Sequence, residues 1–314
     1  MEFKQTDIKL LNYLYHNNRE PFSKIAKACN LTREQVEYRI NKYVTEGIIK
    51  KFATVFNYSA FNHNCLVILF VKFEKSKSIN LFLKKEDKNC ISKGESFGKY
   101  EIYLNLIFKD EDEFQGYLFN LNEKNAIKDY LIIKPSHVEL YPLKLIDNYK
   151  TESYQLVNQN IKEKLDKNDL LILKSLEESG RMKLIEISKK VNLSPELTFY
   201  KLKQLFNKKV ILGQRIDFNM KNLGYFYSLI LINLKKFTKL NQDKIRNFCH
   251  NSKYINSLIL SLNKPNCIIQ VFHKTEDEYR DAIEKIKNLL KDDLIDLDLL
   301  LINEEETINT LPFL

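Results

Sequence analysis

Residues Asp7 to Asn57 and Asp169 to Asn219 align at a constant offset of 162 positions with no insertion. Thirteen positions are identical, among them Asp7/Asp169, Leu11/Leu173, Arg19/Arg181, Ile25/Ile187, Asn30/Asn192, Leu31/Leu193, Tyr38/Tyr200 and Phe56/Phe218. An ungapped repeat of this length is one structural unit used twice, so the chain is expected to fold as a tandem.

The repeated unit reads as three helices. Asp7 to Asn17 places Ile8, Leu11, Leu14 and Tyr15 on one face. Phe22 to Cys29 follows with Ile25, Ala26 and Cys29 inward. Asn30-Leu31-Thr32 is a turn in which Thr32 can cap a third helix, Arg33 to about Glu46. Val36, Ile40, Tyr43 and Val44 are expected inward, and Gly47 supplies the left-handed stop. The second copy repeats the stripe with Leu170, Leu173 and Leu176. Its third helix, Pro195 to about Lys208, opens on Ser194-Pro195, an N-cap followed by proline where a missing amide costs nothing. Three helices with a short turn between the last two match a helix-turn-helix, whose second helix enters the DNA major groove.

An extended stretch follows each unit, Ile48 to Asn57 and Val210 to Asn219. The order after it is β-α-β-β-α-β: Cys65–Phe73, Ser78–Lys88, Ile91–Glu95, Tyr100–Phe108, Asp110–Asn122 and Ile127–Leu140, the last broken near Pro135. Copy two gives Ser228–Leu234, Gln242–His250, Ser257–Leu262, Cys267–Phe272, Thr275–Leu290 and Leu294–Ile302. This is the split βαβ, or ferredoxin-like, order. Its open sheet face needs a cover, and the two sheets are expected to pack on each other as an internal pseudo-dimer. The fold class is therefore α+β: a tandem repeat of a trihelical helix-turn-helix domain and a ferredoxin-like βαββαβ domain. The boundaries are 1–58 and 59–145, a partly helical linker at 146–164, then 165–221 and 222–314.

Net charge is +9, and its placement is informative. Residues 1–58 hold 10 Lys/Arg and 6 Asp/Glu, and residues 160–221 hold 14 and 8, so the two repeated segments carry +10 and everything else −1. Basic charge concentrated on two small modules is the footprint of polyanion binding. No apolar run is long enough for a transmembrane helix. The N-terminus MEFKQTDIKLLNYLYH is already amphipathic, so no membrane partner and a cytoplasmic location are expected. Cys29, Cys65, Cys90, Cys249 and Cys267 form no CxxC pair, which argues against a zinc or other metal site. The five histidines, His16, His63, His137, His250 and His273, do not recur between copies, and no phosphate-binding glycine loop, HExxH or nucleophile elbow is present. No enzyme activity is expected.

The surfaces expected to contact double-stranded DNA are Thr32, Arg33, Gln35, Tyr38, Arg39 and Lys42 in copy one. In copy two they are Ser194, Glu196, Tyr200, Lys201, Gln204 and Lys208. Arg, Lys and Gln contact base edges or phosphates, and Tyr donates to phosphate. Lys50-Lys51 and Lys208-Lys209 follow the third helices as further phosphate candidates. The two sets are unlike, so the site read is expected to be asymmetric or imperfectly palindromic.

The segment LDKNDLLILKSLEESGRMKLIEISKKVNLSPELTFYKLKQL, followed by IDFNMKNLGY, resembles the leucine-responsive regulatory protein/AsnC family. The matching residues are Leu165, Asp166, Asp169, Arg181, Leu193-Ser194-Pro195 and Leu223-Gly224-Tyr225. Copy one departs with Thr32-Arg33 and Asn62-His63, and copy two replaces the Gly98 turn with Asn263-Lys264-Pro265-Asn266. The resemblance implies a transcriptional regulator equivalent to a covalently tied dimer, with further homo-oligomerisation through its sheets. It implies no cofactor, and an amino-acid-like effector at interfaces between the sheet modules. Sirohaem decarboxylases of the haem pathway resemble the same family and are the alternative. They use His and Arg on the ferredoxin-like module, and the only arginines of this chain inside such a module are Arg246 and Arg280. A ligand-sensing scaffold without DNA binding is a third reading, disfavoured by the basic charge on both trihelical units.

Overall fold

The computed structural model describes residues 3–74, 79, 82–141, 153–157, 161, 163–305 and 308–314. Unit one opens with α1 (Gln5–Asn17), α2 (Phe22–Cys29) and α3 (Arg33–Thr45). Thr32 caps α3 by accepting from the Gln35 amide at 3.2 Å, and the Gln35 side chain accepts from the Thr32 amide at 3.0 Å. Gly47 takes φ +67°, the left-handed stop expected of it. Val44, expected inward, is 46 % exposed, because the buried stripe of α3 is Val36, Ile40 and Tyr43.

β1 (Ile49–Phe56) and a single 3₁₀ turn lead into module one: β2 (Cys65–Phe73), β3 (Cys90–Phe97), β4 (Ile102–Phe108), α4 (Glu111–Lys124), β5 (Ile127–Ile133) and β6 (Pro135–Leu140). Of the helix expected over Ser78–Lys88, residues 79, 82 and 83 are helical, and 78, 80 and 81 lie outside the described residues. In the linker expected to be partly helical, Tyr154–Gln155 is instead a short strand, β7, paired with β6. Residues 146–152, 158–160 and 162 of that linker lie outside the described residues. Unit two repeats the helices as α5 (Lys167–Glu178), α6 (Leu184–Val191) and α7 (Pro195–Asn207), then β8 (Ile211–Phe218). Module two is β9 (Phe226–Leu234), α8 (Lys239–Asn251), β10 (Ile255–Ser261), β11 (Cys267–His273), α9 (Glu276–Leu290) and β12 (Leu294–Glu305). Similar segments, KDEDEF at Lys109–Phe114 and KTEDEY at Lys274–Tyr279, start α4 and α9, where Asp110 and Thr275 cap the first turn and three acidic residues follow each cap. Negative charge there complements the helix dipole.

The main sheet has ten strands in the order β5-β2-β4-β3-β12-β9-β11-β10-β6-β7. β5-β2-β4-β3 of module one and β12-β9-β11-β10 of module two follow the same internal order, and β6 and β7 extend the second set. The modules join because each last strand overruns its own sheet. β12 pairs with β9 from Leu294 to Ile302, then with β3 from Leu301 to Glu305. β6 continues β5 past Lys134 and pairs with β10. The two sheets thus face each other, as expected, but they share edges instead of stacking as separate sheets. Gly98 marks a close approach of the two sheets: at φ +143°, an added Cβ would lie 2.6 Å from Leu300 Cδ2 and 3.0 Å from the Leu299 carbonyl oxygen.

The interior between the sheets holds Ile68, Phe70, Tyr103, Leu229, Leu231 and Ile268. Their strand neighbours Val67, Leu69 and Val71, and Ile230 and Ile232, are buried on the opposite, helix-covered faces. Burial on both faces explains the unbroken apolar run CLVILFVKF. Each such side chain contributes about 1.5–3 kcal/mol. Among the described residues no helix is long and apolar enough to cross a membrane, and no cluster of three or more His, Cys, Asp or Glu could hold a metal ion.

Candidate nucleic-acid interface

The two helix-turn-helix units are fixed to each other by a separate two-stranded ribbon, β1 antiparallel to β8. In its register Ala53 faces Arg215. These two residues are also equivalents at the 162-residue offset, so the internal pseudo-twofold passes between them. The swap reaches into the cores. Ile216, Phe218 and Leu223 of unit two complete the core of α1–α3, and Phe56 and Ala60 of unit one enter the core of α5–α7.

The repeated arginines clasp across the same axis. Arg19 Nη1 donates to the Gly180 carbonyl at 2.7 Å, and Arg181 Nη2 donates to the Glu20 carbonyl at 3.3 Å. Arg181 also lies 4.5 Å from the Phe22 ring centroid. Burial, then the neighbouring Arg19 charge, lowers the Arg181 pKa to about 10. At Gly180, a Cβ would come within 2.8 Å of the Phe52 carbonyl oxygen, so the chain passes the ribbon closely. The identity of Arg19 with Arg181 was visible in the repeat, but its role as a clasp required the fold.

On α3 the exposed side chains are Arg33, Glu34, Gln35, Glu37, Tyr38, Asn41, Lys42, Val44 and Thr45, with Tyr38 68 % exposed. Thr32 and Gln35 are engaged in the cap, and Lys42 lies 3.8 Å from Glu46. Arg39 is withdrawn: it is ion-paired with Asp7 of α1, whose Oδ1 also accepts from Tyr43 Oη at 2.5 Å. Burial alone would raise the Asp7 carboxyl, but donation from Tyr43 and the Lys4 amide and the Arg39 charge hold it below its ordinary value.

On α7 the equivalent of Arg39 behaves alike. Lys201 Nζ reaches Asp166 Oδ2 at 2.6 Å and Asp169 Oδ1 at 3.0 Å. Arg39 and Lys201, expected as base or phosphate contacts, therefore lock the third helix of each unit to its first. The rest of the α7 face differs from α3. Glu196 is exposed beside the Ser194 cap, and Tyr200 is 59 % exposed. Leu197 and Phe199, equivalents of Gln35 and Glu37, are 43 % and 57 % exposed. Phe199 was not among the sequence-expected contacts, although a phenylalanine one residue from the outward Tyr200 signals it. Gln204 is half-buried, and Lys208 pairs with Glu163 at 2.8 Å.

Lys50 and Lys51 lie elsewhere. Lys50 sits 3.6 Å from Asp217, and Lys51 pairs with Glu177 and donates to the Ile308 carbonyl at 3.1 Å. Both are spent on acids of unit two, because β1 runs against that unit. Asn62 takes φ +59° where the second copy has Gly224 at φ +78°, so the same turn forms in both. His63 stacks on Phe313 at 3.7 Å between centroids, and His273 stacks between Phe226 and Tyr279.

Residues 5–43 match the model of the AsnC-type helix-turn-helix domain, and residues 165–211 match that of a winged helix-turn-helix DNA-binding domain. The HTH-type transcriptional regulator FL11 of Pyrococcus furiosus is 25 % identical over 113 residues, 36 % of this chain and 75 % of that protein. The proline dehydrogenase transcriptional activator of Rhizobium radiobacter is 39 % identical over 69 residues, 22 % of this chain and 44 % of that protein. In fold, the chain is similar to the siroheme decarboxylase NirDL, with a TM-score of 0.64 at 16 % identity, over 98 % of this chain and 96 % of that one.

Proposed function

Because this chain belongs to the leucine-responsive regulatory protein/AsnC family of transcriptional regulators, with two family units fused in tandem, we propose that its two unlike recognition helices read one asymmetric or imperfectly palindromic site on double-stranded DNA. The observation that carries this reading is the pairing of α3 and α7 across one clasped ribbon. Tyr38 and Tyr200 project at the same position, while Gln35 and Glu37 are exchanged for Leu197 and Phe199.

The exposed chemistry suits each role. Tyr38 and Tyr200 donate to phosphate, and Arg33 and Lys42 reach guanine edges or phosphate. Glu196 can accept from a cytosine amino group, and Leu197 and Phe199 offer apolar contact to thymine methyls. Thr32, Gln35, Ser194, Gln204 and Lys208 border these groups. Lys208 contacts phosphate by exchanging Glu163 for it. Arg39 and Lys201 act as positioning residues. Half-sites lie about one helical turn apart, or a multiple of it.

Selection from random duplexes, followed by fluorescence anisotropy at two salt concentrations, tests the proposal. The expected result is a salt-steep affinity, since phosphate contacts release counterions, and a best site with two different halves. A perfect palindrome as the best site would overturn the two-handed reading, and no salt-dependent binding at all would overturn DNA as the target.

The fold shared with NirDL supports tetrapyrrole decarboxylation as a second reading. Against it, the cavity between the sheets encloses about 130 Å³ and is lined by one guanidinium, that of Arg215. Sites for drug-sized ligands span roughly 300–1,000 Å³. A saturable Soret shift on titrating iron uroporphyrin III into the protein would favour this second reading.

A further inference from the structure

Two positions of the ferredoxin-like module are apolar core in one copy and polar in the other. In the strand registers Lys93 stands opposite Leu104 as Leu258 stands opposite Ile269. Leu258 is fully buried in one core with Ile245 and Cys249 of α8 and Ile286 and Leu290 of α9. Lys93, at the equivalent place, is 7 % exposed, and its Nζ donates to the Lys85 carbonyl at 2.6 Å. With KDEDEF set on KTEDEY, Asn125 falls on Leu290. Ammonium and amide groups are costly in a position that suits leucine unless polar surroundings receive them.

Module one supplies those surroundings. Where module two is filled, module one opens a cleft of about 490 Å³, lined by α4 and by the chain at 85–89. Lys85, Lys88, Lys93 and Lys124 line it, with the carboxylates Glu86, Asp87 and Glu113. Asp87 accepts from Tyr117 Oη at 2.7 Å and from the Asn89 amide at 2.9 Å, and Glu113 accepts from the Lys109 amide at 2.8 Å, so two of the three acids serve the local fold. Lys85, Lys88 and Lys124 are exposed and form no ion pair with a described residue. Lys93 does a different job, tying the Lys85 turn to β3. Asn120 and Asn125 each donate one amide hydrogen within α4, to the Gly116 and Leu121 carbonyls at 2.9 Å, and their side-chain oxygens are acceptors. The cleft lies on the helix-covered face that holds Leu104, away from the interior between the sheets.

We propose that this cleft binds a phosphorylated polyol of about sugar size, its phosphate on Lys85, Lys88 and Lys124 and its hydroxyls on Asn120 and Asn125, with Lys93 as the positioning residue of the Lys85 turn. Lysines bind phosphate as point charges, and amide oxygens accept from hydroxyls. The volume falls within the roughly 300–1,000 Å³ of small-molecule sites, and a bare phosphate would leave most of it empty. The site does not depend on DNA being the target, and occupancy is read without it.

The test uses the full chain and three probes at equal ionic strength: ribose 5-phosphate, ribose and inorganic phosphate. Thermal unfolding and titration calorimetry report binding. Ribose 5-phosphate is expected to bind saturably and to raise Tm by about 4 °C at about 100 times its dissociation constant. Ribose is expected to do neither, and inorganic phosphate to bind about tenfold more weakly. Lys88→Gln and Lys124→Gln, both on the surface, should each weaken ribose 5-phosphate binding about tenfold. Lys93→Met, at a position that is leucine in module two, should weaken it too without lowering the Tm of the unliganded protein. If Lys93→Met fails to fold, the two surface variants still decide. Phosphate caught by the basic helix-turn-helix units would be undiminished in these variants, and that result overturns the proposal. So does ribose binding as tightly as its phosphate, inorganic phosphate binding as tightly as ribose 5-phosphate, or no saturable response to any probe.

Discussion

Arg39 and Lys201 occupy one position in two units, and in both the cation is turned inward onto the start of the first helix. Replacing Arg39 with Ala leaves Asp7 partly buried with Tyr43 as its remaining side-chain donor, so the loss is expected mainly in stability, about 1–3 kcal/mol. Urea unfolding measures it. DNA affinity compared at equal folded fraction should then change less than threefold, about 0.6 kcal/mol. Tyr38 and Tyr200 should behave the opposite way. Each changed to Ala is expected to weaken DNA binding about tenfold, roughly 1.4 kcal/mol, with Tm unmoved. A Tyr38→Ala protein that binds normally would remove that residue from the interface. Glu139 is a third case, buried on β6 and accepting from His137 at 3.1 Å, Ser153 at 2.5 Å, Tyr141 at 3.1 Å and Arg246 at 3.1 Å. Burial alone would raise its carboxyl, but His137, Ser153 and Arg246 outweigh that and pull the pKa down to about 2. A lowered folded-state pKa contributes stability that is complete above the unfolded value near 4.5 and is lost as pH falls toward about 2. Glu139→Gln should cost on the order of 3 kcal/mol at pH 7, and its deficit against the natural protein should narrow as pH falls below about 4.5. A deficit independent of pH would show that the ionised carboxylate is not what matters.

At the scale of elements, the β1–β8 ribbon sets the relation between α3 and α7. Gly180 lies against it with its amide donating to the Phe52 carbonyl at 2.6 Å, while the Gly180 carbonyl receives both Arg19 and Gln214. Gly180→Ala places a methyl on the ribbon backbone, which cannot yield as a flexible side chain could. A loss of about 1–3 kcal/mol in stability is expected, with DNA affinity reduced further because the spacing of the two helices shifts. Calorimetry and anisotropy on one preparation would separate the two effects. A fully stable Gly180→Ala protein would show that the close approach is not enforced.

At the scale of the molecule, neither half has a complete core. The trihelical bundle of unit one is finished by Ile216, Phe218 and Leu223, that of unit two by Phe56 and Ala60, and the sheets share β6 and β12 across their edges. Residues 1–145 produced alone are expected not to give a folded monomer, and mixing with residues 146–314 should restore cooperative unfolding. A monomeric fragment with sharp NMR dispersion would contradict the shared core. The C-terminal segment is part of the same closure: Thr310 donates its amide to Glu177 Oε1 at 3.2 Å and Phe313 stacks on His63.

Periodicity and the repeat determined the elements. The three-helix pattern, the βαββαβ order, the caps at Thr32 and Ser194, and the break near Pro135 are local features, and local propensity and capping chemistry write those into sequence. Outward positions such as Tyr38 and Tyr200 were legible for the same reason, as helical spacing fixes a face. The fate of long charged side chains was not. Arg39, Lys50, Lys51 and Lys201 are equally exposed on any isolated helix or strand, and only the arrival of Asp7, Asp217, Glu177 and Asp166 from distant segments turned them inward. The edge-joined sheet and the cavity between the sheets belong to the tertiary structure too, because strand register and the space that two sheets enclose arise from pairings across more than a hundred residues, which no local pattern encodes.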